Sequence, residues 1–340
     1  MKHLRYLLLL ALSALSSCNF DHLYYQTSLL ALVQIDVDWE SSHITPNGVT
    51  AFVYDAAGDL YTSQLSSDPY VVYLKLPAGT YTVVLHNNSI SELDGVELRN
   101  ISTLESASIY AIERDDEPSF EVEGEDMLFV EEPDDVVSCT LHDIVVEAAD
   151  IEYHYYKPDV SEYEQEVTYR FDATPLHIVH LSRIIAYIDG LEYAAGAPTA
   201  ILRGMSGGYN FYTESTTDGD VMEEFSVNTK VSKSDDDDDS YDTIYVDYNT
   251  FGMHENDPED QLYYMDIRFT LVDGSYVDYH IDITDDIRTE TTETQNVYIV
   301  EMELEALPET EGTYTFDEDS DGSFDPSLDE WVDIEVNLQM

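Results

Sequence analysis

From residue 33 the chain alternates apolar and polar side chains. Val33-Gln34-Ile35-Asp36-Val37-Asp38-Trp39 places Val33, Ile35, Val37 and Trp39 on one face and polar groups on the other. A period of two is that of a half-buried β-strand. It recurs at 49–54, which the Ala57-Gly58-Asp59 turn closes, and at 70–76 and 80–85, which flank Pro77-Ala78-Gly79 as a predicted hairpin. Further strands are predicted at 106–112, 127–130 and 140–147, and no long stretch of this half has helical spacing. The second half keeps the habit at 166–171, 178–188, 199–202, 209–213, 224–231, 243–248, 261–272, 275–283 and 296–304, with Asp273-Gly274 as a two-residue hairpin signal. The acidic, proline-broken cluster Glu131-Glu132-Pro133-Asp134-Asp135 is the best boundary. The pattern predicts an all-β fold of two tandem antiparallel β-sandwich domains, 31–132 and 133–310.

The first residues read differently. Lys2 and Arg5 precede a short apolar run over 6–15, too short for a permanent membrane span. It ends in Leu15-Ser16-Ser17-Cys18, the pattern of a lipobox, in which the cysteine thiol is diacylated and the chain is cut before it. The expectation is a lipoprotein signal peptide over 1–17, a lipidated tether over 18–30, and attachment to the outer membrane, on its exposed face, through lipid on Cys18. No later run of about 18 apolar residues offers a second attachment. Only Cys18 and Cys139 are present, so lipidation of Cys18 leaves no disulfide within the chain. Cys139 lies in an apolar-rich stretch and reads as a small buried hydrophobe.

The chain carries 72 acidic against 13 basic residues, a formal charge of −59. Losing Lys2 and Arg5 with the leader makes it more negative still. Such a body is repelled by phosphate backbones, which excludes nucleic acid as a partner and favours cations and basic protein surfaces. A hydrophobic content of 43%, with 27 tyrosines, supplies a core despite the charge.

Candidate chemistry is sparse. Gly204-Met205-Ser206-Gly207-Gly208 fits G-x-S-x-G, but a strand pattern follows where a nucleophile elbow needs a helix, so it reads as a glycine-rich turn between strands. His177 and His180, three apart in an extended segment, point to opposite faces and do not suit a shared metal. No phosphate-cradling glycine loop is present. The most specific local signal is Asp317-Glu318-Asp319-Ser320-Asp321-Gly322-Ser323-Phe324-Asp325, in the acidic C-terminal segment 311–340. Asp317, Asp319, Asp321 and Asp325 fall at positions one, three, five and nine of a Ca²⁺ loop, with Gly322 at six. Leu328 stands at position twelve, where a bidentate Glu belongs, and the flanking pattern is strand, so an acidic solvated loop is the competing reading. Asp235 to Asp239 read as a solvated charge run. Tyr153, Tyr155 and Tyr156 suit either strand packing or sugar stacking. No cofactor is required by these motifs, and no coherent catalytic site emerges.

The stretches LVQIDVDW, GVTAFVYDAAGDLY and YLKLPAGTYTVVLHNN, between residues 32 and 88, resemble the N-terminal domain of Bacteroidia fimbrillin-type lipoproteins, and more narrowly the fimbrial anchor-protein family and its relatives of unknown function. Residues 177–211 and 251–284 are similar to later strands of that family. The resemblance implies transthyretin-like sandwiches, fimbrial subunits as partners, and joining by addition of a strand to an exposed sheet edge. It also implies that polymerising members are cut at a basic residue near the N-terminus, losing lipid and a first strand, whereas anchors keep both. Here the first basic residue after Cys18 is Lys75, inside a predicted strand. The sequence therefore points to a non-enzymatic anchor or accessory subunit of a fimbrium. The alternative is a stand-alone surface lipoprotein that binds glycan or host protein.

Overall fold

A computed structural model of the chain describes residues 29–122, 127–152, 155, 157, 160–161, 166–230, 242–255, 261–292 and 295–311. Strands dominate. The first five are β1 (Ala31–Val37), β2 (Val49–Tyr54), β3 (Leu60–Ser66), β4 (Val71–Leu76) and β5 (Gly79–Asn87). β6 (Val96–Arg99), β7 (Ser108–Ala111), β8 (Leu128–Val130) and β9 (Val137–Val146) follow. After one turn of helix, α1 (Ala148–Ile151), come β10 (Tyr169–Ala173), β11 (Leu176–His177), β12 (His180–Ile188) and β13 (Thr199–Ser206). Next are β14 (Gly208–Asn210), β15 (Ser215–Thr216), β16 (Asp220–Ser226), β17 (Asn228–Lys230) and β18 (Asp242–Thr250). The last are β19 (Tyr264–Thr270), β20 (Tyr276–Asp282), β21 (Arg288–Thr291) and β22 (Asn296–Glu303).

Two sandwiches and a third layer account for the packing. In the first sandwich a sheet ordered β10-β1-β4 faces one ordered β11-β9-β5-β2-β3. Their inner faces hold Val33, Ile35, Val37, Trp39, Ala51, Val53, Val72, Leu74 and Leu85. The alternation of 33–39 thus points into a core as its period demands. In the second, β17-β18-β12-β22-β21 faces β20-β19-β13-β16-β8 around Ile184, Leu202, Phe225, Ile244, Met265 and Phe269. A third core joins them. The outer face of the β2/β5 sheet, with Phe52, Tyr54 and Val84, is covered by a sheet ordered β15-β14-β7-β6 together with Val130, Val179, Phe211 and Phe251.

The Glu131 to Asp135 cluster lies between β8 and β9, and pairing crosses it in both directions. β8 joins β16 in parallel, whereas β9 pairs with β5 and β10 with β1. Most ladders are antiparallel, but β1–β10, β12–β22 and β16–β8 are parallel. The expected hairpin around Pro77-Ala78-Gly79 is corrected. β4 pairs with β1 and β5 with β2 and β9, so this turn arches from one sheet of the sandwich to the other. The glycine-rich turn expected at 204–208 is also corrected. Gly204 and Ser206 lie within β13, where a register shift between Arg203 and Met205 absorbs one residue, and the chain passes almost directly into β14 of the third layer. A bulge re-aims the strand without ending it.

Candidate functional site

Two places in the fold hold residues that packing alone does not explain. One is β1. It is the first described strand, yet it is central in its sheet, with β4 antiparallel on one side and β10 parallel on the other. Every residue but Asp36 is buried. Its edges are sealed at both ends: the Leu32 N–H donates to Thr168 Oγ1 at 3.1 Å, and the Asp38 N–H to the Ala173 carbonyl at 2.8 Å. Trp39 donates its indole N–H to the Pro69 carbonyl at 2.8 Å. Gln34, on the outer face, donates to Asp36 Oδ1 at 2.6 Å, and Arg170 of β10 lies 3.9 Å from Asp36. Removing β1 would leave a slot between β4 and β10 lined by the first core.

The other is an acidic cleft of about 860 Å³ on the side of the second sandwich. The chain leaves one sheet at the end of β16 and enters the other as β17, and β18 runs beside that crossing. Asp115, Asp116, Glu131, Glu132, Glu224 and Asp247 line the cleft with one guanidinium, that of Arg114. Arg114 is engaged: it donates twice to Asp116, at 2.9 and 2.7 Å, and stacks 4.2 Å over the Phe129 ring. Asp247 accepts a bidentate pair from Arg183, opposite it on β12. Glu224 accepts the Ser119 N–H, and Glu132 Oε1 accepts the Asn249 N–H at 3.0 Å. Phe225 and Tyr248 form an apolar wall, with ring centroids 4.5 Å apart. Glu223 does not line the cleft; it lies on the inner face of β16, between Val221 and Phe225, and is only 1% exposed. Neither of its carboxylate oxygens has a hydrogen-bond partner among the described residues. Burial, and then the neighbouring Glu132 charge, hold its carboxyl well above the ordinary carboxylate range. Burial likewise raises Glu132, and it raises Tyr248 with help from the charges of Glu223 and Glu132.

The residues singled out in the sequence are spread widely. Cys18, the Asp235 to Asp239 run and the Asp317, Asp319, Asp321 and Asp325 loop lie outside the described residues, as do Tyr153 and Tyr156. Tyr155 is exposed, with the Lys157 ammonium 5.7 Å from its ring centroid. Ser206 is fully buried and donates to the Gly208 and Thr217 carbonyls, so its hydroxyl holds the β13–β14 passage and does not face a substrate. His177 and His180 sit on separate strands. His177 contacts Asp135 Oδ1 at 2.6 Å and the Ser42 carbonyl at 2.8 Å. Burial pulls its pKa down, but these two acceptors outweigh that and the net shift is upward. His180 is pushed down to about 4 by burial. Cys139 is a half-buried thiol at the edge of the first core, raised to about 12 by burial. Among the described residues no three His, Cys, Asp or Glu converge as a metal site, and no helix is long and apolar enough to cross a membrane. The acidic cleft was missed in the sequence. Glu223 stands in Val221-Met222-Glu223-Glu224-Phe225, where its inward phase was the one available signal.

Comparison with known proteins agrees with this architecture. Residues 17–226 match the family described as "Domain of unknown function (DUF5119)". No curated protein matches the sequence. Among solved structures, a candidate adhesin from Bacteroides ovatus superposes with a TM-score of 0.54 at 18% identity, covering 83% of this chain and 94% of that one. The fimbrial anchor protein Mfa2 from Porphyromonas gingivalis gives 0.47 at 14% identity, over 81% and 90% of the two chains. The tip fimbrial protein Mfa3 of the same organism gives 0.35 at 12% identity, over 83% and 96%.

Proposed function

This chain belongs to the DUF5119 family, and from that premise we propose that it is a non-enzymatic, adhesion-related lipoprotein of the cell envelope. In this reading it is a fimbrial anchor or accessory subunit, held at the membrane by lipid on Cys18 and joined to its neighbours by β-strand complementation. One observation carries the reading. β1 is an N-terminal strand in a central slot, of the kind that strand exchange could vacate, and no Lys or Arg lies between Cys18 and Lys75 to let a basic-specific protease release it. A subunit that cannot shed its first strand stays tethered, which suits the base of a filament and not its stalk.

The stand-alone reading, capture of glycan or host protein, has exposed aromatics in its favour. Tyr61, Tyr70, Tyr212 and Tyr276 are each about half exposed or more, but they lie on four different segments, which makes a single stacking platform a poor description. The test is a gentle-detergent pull-down of the lipidated protein from its native envelope, followed by mass spectrometry. Fimbrillin-like subunits in near-stoichiometric amount support the anchor. Their absence, or recovery of the protein without lipid inside purified filaments, removes it. Cys18→Ala should move the protein from the membrane fraction to the soluble one.

A further inference from the structure

The connection from β1 to β2 is tied to the rest of the fold by one polar side chain. It contains a short 3₁₀ turn, Glu40–Ser42, closed by His43 in the left-handed region at φ 54°. From Glu40 to Pro46 all but one of the described hydrogen bonds are local. The Glu40 N–H donates to Asp38 Oδ1, the Ser42 N–H and Oγ to the Trp39 carbonyl, and the His43 N–H to the Glu40 carbonyl. The exception is the Ser42 carbonyl, which lies 2.8 Å from His177 Nε2. The other ring nitrogen, Nδ1, is 2.6 Å from Asp135 Oδ1. A carbonyl and a carboxylate only accept, and a neutral imidazole carries a single N–H. Both contacts are hydrogen bonds only when the ring is an imidazolium. The His177 side chain is 5% exposed, so water is poorly placed to replace a lost partner.

We infer that His177 is a proton-operated latch: as an imidazolium it clips the 40–46 connection to the segment before β9, and loss of its proton releases the connection. The groups around the ring fit that role. Asp135 faces it from the segment before β9, while Asp134 next to it is turned away to accept the Asp94 N–H. β9 presents Val137 opposite His177, which has no charge. The connection offers the Ser42 carbonyl, with Glu40 and His43 exposed on either side. His180 of β12 is held down to about 4 by burial and then by the His177 charge, so it does not compete for the proton. Burial opposes the charge on His177 itself, but its two acceptors outweigh that and raise its pKa. A histidine raised in the folded state stabilises fully below its unfolded pKa and loses that contribution as pH rises through the folded one. The latch is therefore closed in mild acid and opens on the alkaline side. Ile44 and Thr45 are shared by two clefts, one of about 890 Å³ with Trp39 and Tyr70 and one of about 300 Å³ with Asn87 and Asp135. The connection is the wall between them, and its release opens one into the other while β1 stays paired with β4 and β10. The inference does not depend on lipidation or on a filament.

The test is a pH titration of the full mature protein by NMR, read at the His177 ring nitrogens and at the Ile44 methyl groups. Both ring nitrogens should carry protons until well above the value of about 6.5 for an unperturbed histidine. Ile44, which packs against the first core from within the connection, should lose methyl order over the same pH range, whereas Ile35 in β1 should not. His177→Gln has one amide donor group and no charge, so Ile44 should be loosened in it at every pH. Asp135→Asn keeps an acceptor but removes the charge, and should move the ring and Ile44 midpoints together to lower pH. Asp135 is exposed, so that variant serves if His177→Gln does not fold. A His177 ring that titrates at or below about 6.5, or an Ile44 signal indifferent to pH and to the variants, overturns the proposal.

Discussion

Asp266→Asn should be among the most damaging single-atom changes in the second sandwich. Asp266 of β19 and Arg203 of β13 lie on the outer face of their sheet, with side chains only 6% and 3% exposed, and Arg203 Nε donates to Asp266 Oδ2 at 2.6 Å. The Tyr264 ring covers the guanidinium, with Cζ 4.9 Å from its centroid, and stacks at 18° on His280. His280 Nδ1 lies 2.7 Å from Asp266 Oδ1 and 3.2 Å from Arg203 Nη2. An arginine only donates, so the shorter contact identifies Nδ1–H as a donor to the carboxylate and leaves the arginine contact as a close approach. The carboxylate therefore neutralises one buried cation and orients one ring. Replacing it with an amide keeps the shape but breaks the buried ion pair that Arg203 Nε makes with it at 2.6 Å, at a cost of about 3–5 kcal/mol. With a urea m-value of about 3 kcal/mol/M, the midpoint should fall by roughly 1–1.7 M. The double variant Arg203→Met/Asp266→Leu removes both charges and should recover most of the loss. A fall below about 1 kcal/mol for Asp266→Asn, or a double variant no better than the single one, would refute the argument.

Three other perturbations read different parts of the fold. Ile35→Ala hollows the buried face of β1 and should cost about 2–5 kcal/mol by urea unfolding, whereas an edge-like role for β1 predicts almost nothing. Gly95 has φ +68°, and a Cβ there would lie 1.9 Å from the Glu132 carbonyl oxygen. Gly95→Ala must therefore displace the Glu132 backbone and strain its own, which should lower the melting temperature in a thermal unfolding scan. His86 and His180 are each held down to about 4 by burial. Depressed histidines add stability above their unfolded pKa and lose it as pH falls, so unfolding free energy should drop between pH 6.5 and 4, by on the order of 3 kcal/mol per histidine. His180→Phe should flatten part of that slope, and an unchanged slope would discount it. Glu223 has the opposite sign: its raised carboxyl weakens the fold as pH climbs above the ordinary carboxylate range.

Strands with one apolar face were legible because a period of two reports burial directly. The 33–39 alternation predicted β1 to within two residues, and the 275–283 pattern matched β20 closely. β3 was not read because Leu60-Tyr61-Thr62-Ser63-Gln64-Leu65-Ser66 is an edge strand with no buried face: its positions alternate between half-buried and exposed. β21, Arg288-Thr289-Glu290-Thr291, is exposed throughout and carries no apolar signal at all. Partner choice was beyond the sequence for a different reason. Pro77-Ala78-Gly79 looks the same whether it closes a hairpin or bridges two sheets, since the turn residues report local backbone and not which strand lies alongside. Of the cleft, the carboxylates were visible as composition, but their convergence required β8 to be brought beside β16 and near β18, both far along the chain from it.

The parallel seam between β1 and β10 also sets an order of events. Val33 faces Tyr169, so the first sandwich lacks one of its sheets' outer strands until the chain beyond residue 173 is available. During synthesis, which delivers the N-terminus first, half of the polypeptide must be made before the first core can close, and an unfinished sheet with an exposed flank waits meanwhile for its own later segment. A flank exposed in that interval is open to any extended strand nearby, so the fold depends on its own β10 arriving before a neighbour's strand does.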